Sequence, residues 1–404
     1  NCRAPLVRLR EGLVATSQNA WPGVNFDLGR LVDFTHSLWP SGFYNKTFKW
    51  PGWHTWEGLI RRSAGLGRPL KGPDPDRYEQ VNAHCDLLVC GAGPSGLVAA
   101  MAAARAGLRV ILADQGSGPG GSLLWENYWL NGEPAEEWVN RSMRELATLD
   151  NLLYLPSTTA SGIYDHNVTT LLQAGEGRGW HECLWTVRPR HILLATGAIE
   201  QGLIFPGNDR PGIMLASAVR HYLNRYAVNT GRDIVLATNN DTAYQTVFDL
   251  AHRQISVSAV VDARSRVDEA LEQRLADLGT PLLTGARIGG TSGGLSLRTV
   301  SIERLDGKRL GTRNCDLLAV SGGWAPRVHL LAHARGELRF DPRSQSFVPQ
   351  ELPQGVTVVG CANGTAALQD VLAEAAQSAS ALCASLGLPV DPPQLPEITA
   401  ATVE

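Results

Sequence analysis

Along the middle of this chain, apolar runs alternate with glycine turns in a fixed order. The run Cys85-Asp-Leu-Leu-Val-Cys90 is followed by a turn made of Gly91, Ala92, Gly93, Pro94, Ser95 and Gly96. An Ala-rich apolar stretch over residues 97–104 comes next, then Val110-Ile-Leu-Ala-Asp114, which ends in an acid. The pattern predicts a buried strand, a glycine turn, a helix and a second buried strand. Binding of a dinucleotide requires that order. Gly91 permits the tight turn, Gly93 lets a pyrophosphate approach the backbone, and Gly96 lets the helix pack close to the strand. The N–H groups at the helix start face the phosphates. Asp114 lies 18 residues past Gly96, where a carboxylate can accept hydrogen bonds from a ribose diol.

Further elements follow. Gly120, Gly121, Ser122 and Leu123 form a second glycine-containing segment, which reads as room for a cofactor or as a plain loop. Residues 136–149 predict an amphipathic helix. Residues 152–167 and 182–187 predict strands, and residues 191–198 a buried strand ending in a turn at Thr196 and Gly197. A second strand–turn–helix–strand unit starts at Asp233-Ile-Val-Leu-Ala237 and its second strand ends at Asp262. Its turn, Thr238-Asn-Asn-Asp-Thr-Ala243, has no glycine. Asn and Asp tolerate left-handed backbone, so the turn forms, but side chains occupy the positions where phosphate would approach. This unit keeps a nucleotide fold and has lost its ligand. The chain returns with Cys315-Asp-Leu-Leu-Ala-Val320 and with Val356-Thr-Val-Val-Gly360, the latter followed by Gly364 and a helix over residues 366–386.

The predicted architecture is α/β: a two-dinucleotide-binding-domain (Rossmann-like, glutathione-reductase-like) fold, with the degenerate second nucleotide domain inserted in the first. The first domain takes residues 83–205 and 315–390, the insertion residues 206–314, and residues 391–404 a tail. Residues 1–35 hold short strand-like pieces. Residues 36–82 crowd Trp39, Phe43, Tyr44, Phe48, Trp50, Trp53 and Trp56 into a segment without a clear period, which packs either on its own domain or on a partner.

Composition narrows the function. The chain has 404 residues, 44% hydrophobic and 19% charged, with a formal net charge of −3, so no bulk basic field draws nucleic acid or anionic lipid. No apolar run approaches the roughly 18 residues of a membrane span. The chain begins with Asn1 and has no signal peptide, so it reads as processed or as a fragment. Seven cysteines, none in C-x-x-C spacing, read as small buried hydrophobes and fit a reducing cytoplasm. Neither a metal cluster nor an acid/base pair emerges; His181 and His191 read as structural.

Several strings together carry a more specific likeness. They are Cys2-Arg-Ala-Pro-Leu-Val, Gly12-Leu-Val-Ala-Thr-Ser-Gln-Asn-Ala-Trp-Pro, Gly42-Phe-Tyr-Asn-Lys-Thr-Phe, Ala195-Thr-Gly-Ala-Ile-Glu, Phe205-Pro-Gly-Asn-Asp-Arg-Pro-Gly, Thr238-Asn-Asn-Asp and Val320-Ser-Gly-Gly-Trp324. With them the chain resembles the α subunit of heterotetrameric sarcosine oxidase over nearly its whole length. The resemblance implies oxidation of sarcosine to glycine with formation of hydrogen peroxide and transfer of the one-carbon unit to tetrahydrofolate. It implies β, γ and δ partner subunits, FAD in the β subunit, FMN at the interface with the β subunit, and NAD in this chain. It also makes residues 1–35 the tail of a ferredoxin-like domain and places a folate-binding half outside this chain.

Architecture alone would put FAD in the first fold and NAD(P)H in the second. The degenerate second turn argues against a working reductase, and the resemblance implies NAD in the first fold, with FAD as the alternative. Asp114 favours NAD over NADP, because a carboxylate repels a 2′-phosphate. The candidate cofactor residues are Gly91, Ala92, Gly93, Pro94, Ser95, Gly96, Asp114, Gln115, Gly121, Ser122, Leu123, Thr196, Gly197 and Gly364. No residue is assigned to catalysis. The competing readings are a stand-alone NAD(P)H-dependent flavin reductase, a subunit of a related proline, opine or glycine dehydrogenase, and a scaffold in which NAD is structural.

Overall fold

The computed structural model describes residues 11–14, 17, 19–38, 42–65, 72–175 and 178–400. The chain divides into two compact units, the first ending at Asp76 and the second starting at Arg77. The string starting at Cys2 lies outside the described residues, as do Ala15, Thr16 and Gln18 of the string starting at Gly12.

The first unit is built from local pieces. A short ribbon pairs Pro22–Gly23 with Phe26–Asp27, and the 3-10 stretch Leu28–Leu38 follows. Two helices, Phe43–Thr47 and Trp53–Ser63, occupy the segment expected to be irregular. Phe48 packs on Trp56 with ring centroids 5.4 Å apart, and the Trp56 indole donates to the Trp50 carbonyl at 3.0 Å. Phe34 and Trp50 stay more than four-fifths exposed.

The second unit opens with the fingerprint strand, Tyr78–Cys90, which starts ahead of the boundary expected at residue 83. It pairs in parallel with Glu182–Leu194 along its whole length. The sequence pattern split that partner into two strands around Pro189. In the structure the strand runs through it. Pro189 sits where the neighbour on the other side changes from Thr169–Ala174 to Val356–Val358, a place where a missing N–H interrupts few ladder bonds. From the fingerprint strand the sheet continues outward through Val110–Ala113 to Leu152–Leu155. The chain therefore steps to one side of Tyr78–Cys90 and returns on the other. A crevice opens at such a switch point, at the carboxyl ends of the strands.

The fingerprint helix, Pro94–Arg105, is rich in alanine, the best helix former, and carries Pro at its first position. It stops in a Schellman turn. Gly107, at φ +95, donates to the Ala104 carbonyl, and Leu108 donates to that of Ala103. Its small residues Ala99 and Ala103 share one core with Ala375, Ala376 and Ala379 of the helix Leu368–Ser385. Leu97, Leu193 and Leu372 in that core are fully buried, each stabilising by about 2 kcal/mol.

The inserted fold has a five-stranded parallel sheet in the order Ile213–Leu215, Leu317–Ser321, Ile234–Thr238, Val257–Asp262, Leu282–Thr284. This corrects one expectation. The sequence pattern puts residues 315–321 with the first fold, but Leu317–Ser321 lies inside the second sheet. A strand buried on both faces reads as a plain apolar run whichever parallel sheet receives it. The segment expected as a tail also differs, since Ile398–Ala400 pairs with Tyr128–Leu130. An antiparallel ribbon, Ala198–Glu200 with Trp324–Pro326, joins the two folds. The helices Ala216–Tyr226 and Tyr244–His252 flank the second sheet's core.

Among the described residues no helix is long and apolar enough to cross a membrane, and no group of His, Cys, Asp or Glu is arranged to hold a metal ion. Cys85, Cys90, Cys183, Cys315 and Cys383 are buried free thiols, and Cys361 is partly exposed.

Candidate dinucleotide site

The glycines of the first turn divide by what a side chain would meet. Gly91, at φ +111, backs onto the Ala195 carbonyl, and a Cβ there would collide with it. A Cβ on Gly96 would collide with the Gly91 carbonyl. These two glycines are required by packing. Gly93 is different: its backbone is extended (φ −73, ψ −172), a conformation open to any residue, and a Cβ there would meet nothing within 4 Å. The protein leaves that face open. Gly93 also precedes the fingerprint helix without a side-chain cap. The first-turn N–H groups of a helix have no partner within it, and they carry the positive end of its dipole. Ser95 and Gly96 present such groups beside the open face.

The second glycine segment is folded against the first. Gly120 donates to the Ala92 carbonyl at 2.8 Å, and a Cβ on Gly121 would stand 3.0 Å from Gly93 Cα. The Ser122 carbonyl accepts from the Trp125 and Glu126 amides, and Leu123 is buried in the core beneath.

Asp114 ends the neighbouring strand. One carboxylate oxygen accepts from the Ala92 amide at 2.6 Å and the other from the Gly116 amide at 2.6 Å. A carboxylate has about four acceptor positions, so both oxygens keep capacity for a ribose diol. Burial pushes its carboxyl above the usual range, while the two amides and the Arg327 guanidinium pull it back. Gln115 follows, half-buried. The Tyr154 hydroxyl interacts electrostatically with Asp114 and is buried without a hydrogen-bond partner among the described residues.

On the adjoining strand, Ala195 donates to the Cys90 carbonyl at 2.9 Å and leads into Thr196 and Gly197. The Thr196 hydroxyl donates to the Arg327 carbonyl at 2.8 Å, and the Arg327 amide to the Gly197 carbonyl at 2.9 Å. Gly364 is not brought into this group. It follows a short helical turn, Gly360–Asn363, and its Cβ position faces Val348. Gly360 is the closer residue: at φ +68, a Cβ there would stand 2.9 Å from the Ser95 hydroxyl. The sequence pattern ends a buried strand at Gly360, the same signal as Gly91, but the candidate residues include Gly364 in its place. Arg327 carried no local signal.

The second turn closes on itself. Asp262 is fully buried and accepts from the Tyr244 hydroxyl at 2.8 Å and from Arg264 at 2.7 Å. Arg264 also pairs with Asp241 of the turn at 2.7 Å. The acid that would meet a ribose is thus taken up by the chain's own cation.

Residues 86–152 match the family model described as FAD dependent oxidoreductase. Over 404 residues the chain is 41% identical to the sarcosine oxidase subunit alpha of Rhizobium meliloti (strain 1021), covering 97% of this chain and 40% of that protein. It is 39% identical over 316 residues to the corresponding subunit of Corynebacterium sp. (strain U-96), covering 74% of this chain and 32% of that protein. Among solved structures, L-proline dehydrogenase from P. horikoshii superposes with a TM-score of 0.58 at 19% identity, covering 80% of this chain and 60% of that one. The chain spans about two fifths of the length of the first of these relatives. By fold it is a Rossmann-like α/β protein, and by sequence it is related to the sarcosine oxidase α subunits, along nearly its whole length to that of Rhizobium meliloti.

Proposed function

We propose that this chain is the dinucleotide-holding part of a sarcosine-oxidase-type α subunit and that the nucleotide in its first fold is NAD. One observation carries the reading: Gly93 has an open face beside an uncapped helix N-terminus, while the packing glycines around it are filled. The donor set suits a pyrophosphate at the Ser95 and Gly96 amides and an adenosine ribose at Asp114. The Asp114 carboxylate opposes a 2′-phosphate, so NAD is preferred over NADP. Thr196 and Gly197 border the second half of the ligand. A bound nicotinamide nucleotide supplies a two-electron hydride couple. The chain's residues bind and orient it, and no acid or base is assigned to them.

In this reading the amine is oxidised in a β subunit that carries FAD, FMN lies where α and β meet, and γ and δ subunits complete a cytoplasmic oxidase. The substrate is sarcosine, the products are glycine and hydrogen peroxide, and the one-carbon unit passes to tetrahydrofolate. A second reading, FAD in the first fold, is favoured by the family match over residues 86–152. Denaturing the purified chain and identifying the released nucleotide by mass spectrometry and absorbance separates the two. NAD without flavin absorbance supports the first reading, and FAD supports the second.

A further inference from the structure

The inserted fold keeps the form of a nucleotide fold while its turn is filled from within, and the groups that fill it lead back to the first site. Asn240 precedes the helical turn of the second unit as Gly93 precedes the fingerprint helix, both with extended backbone. Where Gly93 leaves open space, Asn240 places an amide. Its nitrogen donates to the Ser321 hydroxyl at 3.0 Å and the Ser321 carbonyl at 3.3 Å, and its oxygen accepts from the Thr242 hydroxyl at 2.6 Å. Thr242 in turn accepts from the Trp324 indole N–H at 2.9 Å.

Trp324 begins one strand of the ribbon between the folds and pairs with Glu200 on the other. The Glu200 carboxylate accepts from the Ser217 amide at 2.8 Å, which fastens the same ribbon to the helix Ala216–Tyr226. Immediately past the ribbon, Arg327 bonds to Gly197 and Thr196 and acts electrostatically on Asp114. A continuous path of hydrogen bonds and paired backbone thus runs from Asn240 to the rim of the first crevice.

We propose that the inserted fold acts as a brace for the dinucleotide site. The Asn240–Thr242–Trp324 chain holds the ribbon in register, and the ribbon holds Thr196, Gly197 and Arg327 against the cradle. This inference rests on the reading of the first cradle as a dinucleotide site. Asn240, Thr242 and Trp324 are positioning residues that act on the nucleotide through Arg327 and Thr196. The loss of a ligand from the second turn is what makes the brace possible, since a turn that admits nucleotide cannot also carry Asn240 across its mouth.

The test titrates the full chain, freed of nucleotide, with NAD and with FAD by calorimetry. Thr242→Val removes the hydroxyl while keeping the shape, and Trp324→Phe removes the indole donor. Each is expected to weaken the nucleotide that wild type binds by about three- to tenfold. Thr242→Ser restores the hydroxyl and is expected to bind within about twofold of wild type. Thermal unfolding without nucleotide is expected to stay near wild type, because both bonds are exposed. Equal affinity for wild type, Thr242→Val and Trp324→Phe overturns the brace and leaves the cradle standing. A wild-type chain that takes up neither NAD nor FAD overturns the reading of the cradle, and the brace with it.

Discussion

The backbone N–H of Ala92 donates to the Asp114 carboxylate over 2.6 Å, tying the fingerprint turn to the end of the neighbouring strand. One carboxyl group thus shapes the turn through its amide contacts and stands ready for the ribose. Burial raises its folded pKa, so ionising it costs the folded chain more than the unfolded one. The stability it contributes is complete below its ordinary value of 3.8 and is lost as pH rises through the raised folded value. Asp114→Asn should abolish that pH-dependent loss in denaturant titrations. It should also weaken the nucleotide about tenfold and relax discrimination against NADP. Unchanged affinity would remove Asp114 from the site.

Arg220 joins the two folds. Its guanidinium bonds Asp249 at 2.7 Å with both side chains nearly excluded from water, and it lies 5.1 Å from the Trp125 ring centroid. Asn224, Gln245 and Asn127 also donate to Asp249, and Asn224 reaches the Trp125 carbonyl. Arg220→Met leaves a buried carboxylate without its cation, which should cost about 3–5 kcal/mol in urea unfolding. A loss under about 1 kcal/mol would show that the three amides suffice.

The buried thiols should be inert. Burial pushes Cys85, Cys90 and Cys315 up to about 12, and raises Cys183, Cys361 and Cys383 as well. The thiolate is the reactive form. A disulfide reagent at pH 8 should leave the five buried cysteines unmodified in the native chain and modify all six after denaturation, as peptide mapping would read.

Legibility followed locality. The strand, glycine turn, helix and terminal acid around Gly91 and Asp114 were readable because each signal lies within a few residues of the next. The sheet that receives Leu317–Ser321 is not legible, because a fully apolar run carries no address. Pro189 hid the continuity of Glu182–Leu194, since the partner change that accommodates it lies in distant segments. Arg327 and Gly360 reach the crevice through tertiary contacts with Thr196 and Ser95. The closure of the second turn is half legible: its missing glycines show in the sequence, but the Asn240–Ser321 and Arg264–Asp241 contacts join residues distant along the chain.

The two turn glycines predict opposite phenotypes. Gly96→Ala drives a methyl into the Gly91 backbone carbonyl, with the Ala195 methyl 3.3 Å away, which leaves little room to relax. It should destabilise the chain by at least about 3 kcal/mol, seen as a lowered thermal midpoint or insoluble expression. A stable, soluble Gly96→Ala chain would contradict the packing role.

Gly93→Val fills the open face of the turn and little else. Its backbone suits any residue and its Cβ would enter open space. The measurement is nucleotide content per folded chain, by release and mass spectrometry, for wild type and Gly93→Val purified side by side. Bound dinucleotide is expected in wild type and almost none in Gly93→Val, with both chains folded. Equal nucleotide content in the two would contradict it and place the ligand elsewhere.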